Sequence, residues 1–376
     1  MIKTILFDVD GVLLSEERYF DASALTVWEM LSSSNYLALS PEKFKTDYSD
    51  NEIDEIRALV FDNDQHLKLM KSRGLNANWD MIYLTFAHQL IHLLSQLKEM
   101  GFENVGKWCQ APIGRETLLE IGRVLSNYPV KLDFSLFVTD FERTDAMKQE
   151  LLSYLNVLAQ EKLGIETDIF EKGELWSVCE HVSQEWYVGD ENVVASTGRP
   201  SVQTGKKGFL ANETTLAPKE EIAGLFEFLA SSGIEIGIGT GRPELETIQP
   251  FRHLDWLKYF DESRIVTADD VLQAEKQVSE SKSLSKPHPF TYIMGLYRKE
   301  LAVQECLNFE LPLEKGETLL IVGDSLADLL AARQMGAQFA AVLTGLSGKD
   351  ARGEFEEHHA DYILDSVLEL KELKCF

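Results

Sequence analysis

The chain has 376 residues, 44% of them hydrophobic and 26% charged, with 62 acidic against 36 basic side chains and a formal net charge of −26 at pH 7. That length accommodates two domains, and the acidic surplus disfavours nucleic acid or an anionic membrane as partner, because both repel it at long range. No apolar run reaches membrane-spanning length, and the four cysteines, Cys109, Cys179, Cys306 and Cys375, include no Cys-x-x-Cys pair, which argues against zinc and disulfide frameworks and for a reducing, cytoplasmic setting.

The first predicted strand covers residues 3–8 and runs into Asp8-Val9-Asp10-Gly11-Val12. No basic leader precedes it, so the folded domain is expected to begin at Met1. Side chains two apart on a strand point the same way, which brings Asp8 and Asp10 together at the carboxyl end, where open α/β sheets bind ligands. Paired carboxylates repel unless a divalent cation neutralises them or one is kept protonated as an acid. The competing reading is a solvated Asp-Gly turn.

Residues 15–215 read as mainly helical. Between Trp79 and Met100 the apolar positions Met81, Leu84, Phe86, Ala87, Leu90, Leu93, Leu94 and Leu97 follow the three- and four-residue spacing of an amphipathic helix, and similar spacing recurs over 147–163 and 175–186. His88 and His92 stand four apart but have no adjacent glutamate and no third ligand, so they read as core or surface histidines. Trp79, Phe86 and Trp186 read as core. Thr197–Gly208 is the expected linker. Its Thr197-Gly198-Arg199-Pro200 has no strand before it, and Gly198, Gly205 and Lys206 have the wrong spacing for a P-loop.

From Thr215 onward, strand and helix alternate. Pro218 opens a helix with Lys219-Glu220-Glu221 in its first turn, and Gly233 ends it. Further strands are predicted over 234–239, 264–267, 318–323, 338–343 and 361–364, six in all with the first. The second ends in Thr240-Gly241-Arg242-Pro243, where a hydroxyl and a glycine amide suit phosphate oxygens. Arg242 reads either as a contact to ligand or cap, or as half of a salt bridge. Lys286 lies in Ser285-Lys286-Pro287-His288-Pro289, where the prolines are expected to hold an extended approach and leave the ammonium as a projecting point charge. The strand at 318–323 runs into Asp324-Ser325, with Asp328 four residues beyond Asp324. Asp324 is placed to bind a metal directly, and Asp328 to hold a coordinated water or a lysine.

In this order, each at the end of a strand-like run, the four segments resemble the motifs of the haloacid dehalogenase superfamily. The resemblance implies a doubly wound, mostly parallel, Rossmann-like α/β core from residues 1–14 and 216–376, with a helical cap over 15–215 inserted after the first motif. It implies that Asp8 is the nucleophile and Asp10 the general acid and base, with Thr240, Gly241, Arg242 and Lys286 around a phosphoryl group. It further implies that Asp8, the Asp10 carbonyl and Asp324 ligate magnesium, supported by Asp328 and Ser325. Members that cleave carbon–halogen or carbon–phosphorus bonds usually lack an acid at the position of Asp10, whereas an ester alkoxide needs a proton. The expected activity is therefore magnesium-dependent hydrolysis of a small phosphorylated metabolite through an aspartyl phosphate. A phosphomutase using the same aspartyl phosphate, or a non-catalytic regulatory protein, is the alternative.

Overall fold

The computed structural model describes residues 1–75, 77–278 and 283–374. It divides the chain into two compact units, one of Met1–Glu16 with Leu210–Phe376 and one of Glu17–Phe209.

The first unit is built on a six-stranded sheet of β1 (Thr4–Phe7), β2 (Glu235–Gly239), β3 (Ile265–Val266), β4 (Leu319–Gly323), β5 (Gln338–Val342) and β6 (Tyr362–Leu364), in the order β3-β2-β1-β4-β5-β6. Every pairing is parallel, and the registers Leu6↔Gly237 and Leu6↔Ile321 place β1 at the centre. Strands covered on both faces read as continuous apolar runs, and Thr-Ile-Leu-Phe and Leu-Leu-Ile-Val-Gly are such runs, fully buried. Alternate residues feed two cores: Ile5 and Phe7 pack with Ile222, Phe226 and Trp256 on one face, and Leu6 with Tyr292, Leu329 and Phe339 on the other. All six strands lie where the sequence pattern predicts them, within one residue at each end.

The second unit is all helix and loop among its described residues: α1 (Glu17–Ser32), α2 (Asp50–Val60), α3 (Gln65–Ser72), α4 (Asn78–Glu99), α5 (Arg115–Leu125), α6 (Leu136–Phe141), α7 (Glu150–Leu163), α8 (Glu174–Val188) and α9 (Val193–Thr197). The predicted apolar stripe of α4 is buried, and with it His88, whose Nε2 lies 2.9 Å from Asp140 Oδ2. His92 bonds Gln96, so the two histidines serve separate local contacts. Among the described residues, no helix is long and apolar enough to cross a membrane. Cys109, Cys179 and Cys306 are buried free thiols, and Cys375 lies outside the described residues.

The predicted linker Thr197–Gly208 belongs with the helical unit and runs up to its end at Phe209: Lys206 is fully buried and its ammonium pairs with Glu29 (2.7 Å) and with Glu185, tying the loop to α1 and α8. Gly208 lies flat on the backbone of Val188 and Gly189, where any Cβ would collide. Thr197 caps its own helix end, its hydroxyl donating to the Val193 carbonyl and accepting from the Arg199 N–H.

His66 gives this unit a pH dependence. Its ring is fully buried, stacked on Phe137 at 4.1 Å, with Nε2 at 2.8 Å from the Phe134 carbonyl. Burial holds the imidazole neutral and lowers its pKa from 6.5 to about 4. Between those values the unfolded chain binds the extra proton, so stability present at neutral pH is lost as pH falls from 6.5 toward 4, by about 3 kcal/mol. Denaturant titrations at pH 7 and 4.5 are expected to show that loss, with a shallower dependence in His66→Gln.

The remaining helices belong to the first unit: α10 (Lys219–Ser231), α11 (Glu244–His253), α12 (Ala268–Glu275), α13 (Phe290–Leu296), α14 (Val303–Leu307), α15 (Leu326–Met335) and α16 (Arg352–Glu357). Pro218 stands at the N-cap of α10 and Gly233 just past its end at φ +75°. The bare α-carbon of Gly239 in β2 lets α13 approach, since a Cβ would lie 2.7 Å from the Tyr292 ring.

Candidate active site

Three adjacent strands, β2, β1 and β4, deliver the motif residues at their carboxyl ends. Asp8 extends β1 by one ladder bond, its N–H donating to the Val322 carbonyl (2.9 Å), and its Oδ1 accepts the Val9 N–H (2.7 Å). Asp324 follows β4 directly. Ser325 caps α15, accepting from the Asp328 N–H and donating its hydroxyl to Asp328 Oδ2 at 2.6 Å. Asp8, Asp324 and Asp328 each bring an oxygen within 4.8 Å of the others.

Lys286 ties two of these acids together, with Nζ at 2.9 Å from Asp8 Oδ2 and 2.7 Å from Asp328 Oδ1. Its segment is not the extended approach expected from the prolines. It is a turn, closed by the His288 N–H on the Ser285 carbonyl (3.0 Å) with the Lys286–Pro287 peptide cis, and the ammonium is anchored rather than projecting. Tyr292, which no sequence signal singled out, donates its hydroxyl to Asp328 Oδ1 at 2.6 Å. Both Asp328 oxygens are thus engaged by side chains of this unit, whereas no ammonium or guanidinium among the described residues pairs with Asp324.

The electrostatics follow. Burial raises the Asp8 carboxyl to about 7 against the attraction of Lys286, with Asp328 and Asp10 adding repulsion. Burial, then Asp8 and Asp328, push Asp324 well above the carboxylate range. Burial works against the Lys286 charge, but Asp328 and Asp8 outweigh it and hold the ammonium firmly protonated. With all three carboxyls ionised, the cluster would carry more negative charge than its one lysine balances. Hard carboxylate oxygens around a charge deficit of this sign suit magnesium, calcium or manganese rather than a thiophilic metal.

Glycines shape the cradle. A Cβ on Gly11, which sits at φ +70°, or on Gly345 would collide with the Asp324 carboxylate, and one on Gly323 would lie 2.6 Å from the Asp328 Cβ. The Thr344 hydroxyl donates to the Gly11 carbonyl at 2.6 Å and pins that loop beside the acids.

Asp10 stands apart from the three-acid group. Its Oδ1 accepts from Arg242 Nε (2.8 Å) and Nη2 (2.6 Å), while Arg242 Nη1 donates to Glu213 Oε1 at 2.6 Å. Of the two roles expected for Arg242, the ion pair is the one its buried guanidinium makes. Thr240, 1% exposed, continues β2 through its N–H to the Val266 carbonyl (3.0 Å), and its hydroxyl accepts the Arg242 N–H (3.1 Å). Gly241 is exposed, with no atom within 4 Å of where a Cβ would stand. Glu213 was not foreseen, because its partner lies 29 positions along the chain and neither residue belongs to a local pattern.

The family model described as HAD-hydrolase-like matches residues 283–370. A crystal structure from the Northeast Structural Genomics Consortium is similar to this chain at 39% identity and TM-score 0.90, covering 99% of this chain and 98% of its own. Two others are more distant. CbbY from Rhodobacter sphaeroides in complex with phosphate is 16% identical over 98% of this chain and 96% of its own, at TM-score 0.40. A haloacid dehalogenase-like family hydrolase from Streptococcus pneumoniae is 14% identical over 99% and 97%, also at 0.40. No curated protein matches the chain. The chain belongs to one family with the 39%-identical structure, and its parallel core with a large helical insertion is the fold of a haloacid dehalogenase superfamily hydrolase.

Proposed function

We infer that the protein is a metal-dependent phosphomonoester hydrolase that works through an aspartyl phosphate on Asp8. One observation carries this reading: two acids two residues apart stand in opposite surroundings, Asp8 beside acids and one lysine, Asp10 on a guanidinium. Carboxylates placed in different surroundings take different roles.

Asp8 and Asp324, with the Asp10 carbonyl, would hold magnesium, and Asp328 and Ser325 would steady them. The bound ion supplies positive charge opposite the phosphoryl oxygens. Thr240, the Gly241 amide and Lys286 bind those oxygens, and Lys286 also balances the charge on Asp8. The Asp8 carboxylate attacks phosphorus in line, while Asp10 protonates the departing alcohol and then takes a proton from the water that hydrolyses the intermediate. Buried free thiols fit a reducing, cytoplasmic setting, and the substrate is a small phosphorylated metabolite.

Release of free phosphate from p-nitrophenyl phosphate tests this. Turnover is expected in magnesium buffer, to stop on EDTA and to return with added magnesium. Hydrolysis indifferent to EDTA, or transfer to a second hydroxyl without free phosphate, overturns the reading.

A further inference from the structure

Arg242 is fixed through its backbone before its side chain makes any contact: its N–H donates to Thr240 Oγ1 (3.1 Å) and its carbonyl accepts the Ala268 N–H (2.9 Å). Its side chain is 1% exposed, and two of its donors, Nε and Nη2, converge on the single oxygen Oδ1 of Asp10, whose own side chain is 30% exposed. The third direction of the fork, Nη1, donates to Glu213, also 1% exposed, and to the Glu246 carbonyl at 3.3 Å. Glu213 in turn sits on a segment laced to the residues after Asp10. There the Ser15 N–H donates to the Thr214 carbonyl (2.8 Å) and the Leu216 N–H to the Leu13 carbonyl (3.1 Å), around the bridge Leu14↔Thr215.

An ammonium would satisfy a carboxylate from many directions, but a planar guanidinium with two donors on one oxygen fixes the rotation of the carboxyl group. We propose that Arg242, held by Glu213, is a positioning residue that keeps Asp10 Oδ1 as a permanent acceptor and leaves Oδ2 as the one oxygen through which Asp10 exchanges its proton. This rests on the phosphatase reading above and reassigns Arg242 away from the substrate.

The proton balance is explicit. In the first step an Asp8 oxygen bonds to phosphorus, the ester P–O bond breaks with its electron pair on the leaving oxygen, and that oxygen takes the proton from Asp10 Oδ2. In the second, water oxygen bonds to phosphorus, its proton passes to Asp10 Oδ2, and the bond between phosphorus and Asp8 breaks. A carboxyl group turning freely about Cβ–Cγ presents the wrong oxygen for part of the time. The loss is greatest where the leaving alcohol most needs a proton.

Three esters of increasing need test this: 2,4-dinitrophenyl, p-nitrophenyl and phenyl phosphate, each read as kcat/KM in magnesium buffer. In Arg242→Met combined with Glu213→Gln, which removes both charges of that buried pair together, phenyl phosphate is expected to lose about 100-fold and the dinitrophenyl ester less than about threefold. Asp10→Asn is expected to show the same gradient, and adding Arg242→Met to it to cost little more, because the two act through one proton. Should the double variant melt at room temperature, Arg242→Lys keeps a charge opposite Glu213 without the fork and is expected to give a gradient of the same direction. Equal losses on all three esters would mean that Arg242 binds substrate or only supports the fold, and would overturn the positioning role alone. Failure of the unmodified protein on every ester would instead sink the phosphatase reading.

Discussion

Asp8→Asn is expected to reduce aryl phosphate turnover by at least about a thousandfold, below detection in an ordinary assay, because the amide cannot form the acyl phosphate on which both half-reactions depend. The fold is expected to survive. Asparagine keeps the size of the side chain and a carbonyl oxygen for the Lys286 ammonium, and it removes one negative charge from a cluster where burial and neighbouring acids already push the Asp8 carboxyl to about 7. In the absence of metal, the variant should therefore melt no lower than the parent. Thermal melts beside kinetic traces check both halves, and turnover within tenfold of the parent would remove Asp8 from the nucleophile's role.

The largest stability effect is expected in the helical unit, at Lys206. Its ammonium is fully buried between Glu29 and Glu185, both with 0% exposed side chains, and Glu185 also lies 3.3 Å from His181 Nε2. Burial raises Glu29 to about 7 even with Lys206 beside it. Lys206→Met strips the positive partner from two buried carboxylates, a change that costs about 3–5 kcal/mol, on the order of 10 °C in Tm for a unit of this size. Adding Glu29→Gln and Glu185→Gln should recover much of it, since a neutral buried group needs hydrogen bonds but no countercharge. A drop under about 1 kcal/mol in Lys206→Met would show that the triad does not hold the 198–208 loop.

These two residues mark the limits of what the sequence discloses. Asp8 was legible because a strand-ending carboxylate followed by Gly11 is a local pattern, and the glycine is required there by a positive φ and by the Asp324 carboxylate beside it. The strands were legible for the same reason: Leu319-Leu320-Ile321-Val322 buries both faces and can do little else. Nothing local to the sequence sets Lys206 apart from Lys207, yet only Lys207 is solvated, meeting Asp47 on the surface. What separates them is burial between α1 and α8, a tertiary fact with no trace in spacing. Tyr292 and Glu213 were invisible in the same sense, since each acts on a partner brought close by the sheet, Asp328 in one case and Arg242 in the other. The turn at Lys286 went the other way: proline content announced a special backbone, but not which one.

The bridge between Leu14 and Thr215 bears on the order in which the molecule assembles. β1 is made before both of its neighbours in the sheet, which follow more than 200 residues later, at Glu235 and Leu319. Closing a slack excursion of roughly 200 residues would cost on the order of 5 kcal/mol in chain entropy. A helical unit that folds on its own would remove that cost. Its own first and last turns meet, Arg18 lying over the Phe209 ring at 5.3 Å and the Phe209 N–H reaching the Tyr187 carbonyl at 2.8 Å. With that unit folded, β1 and α10 would behave as if they were joined by a short hairpin, and the sheet unit would nucleate as a contiguous one does.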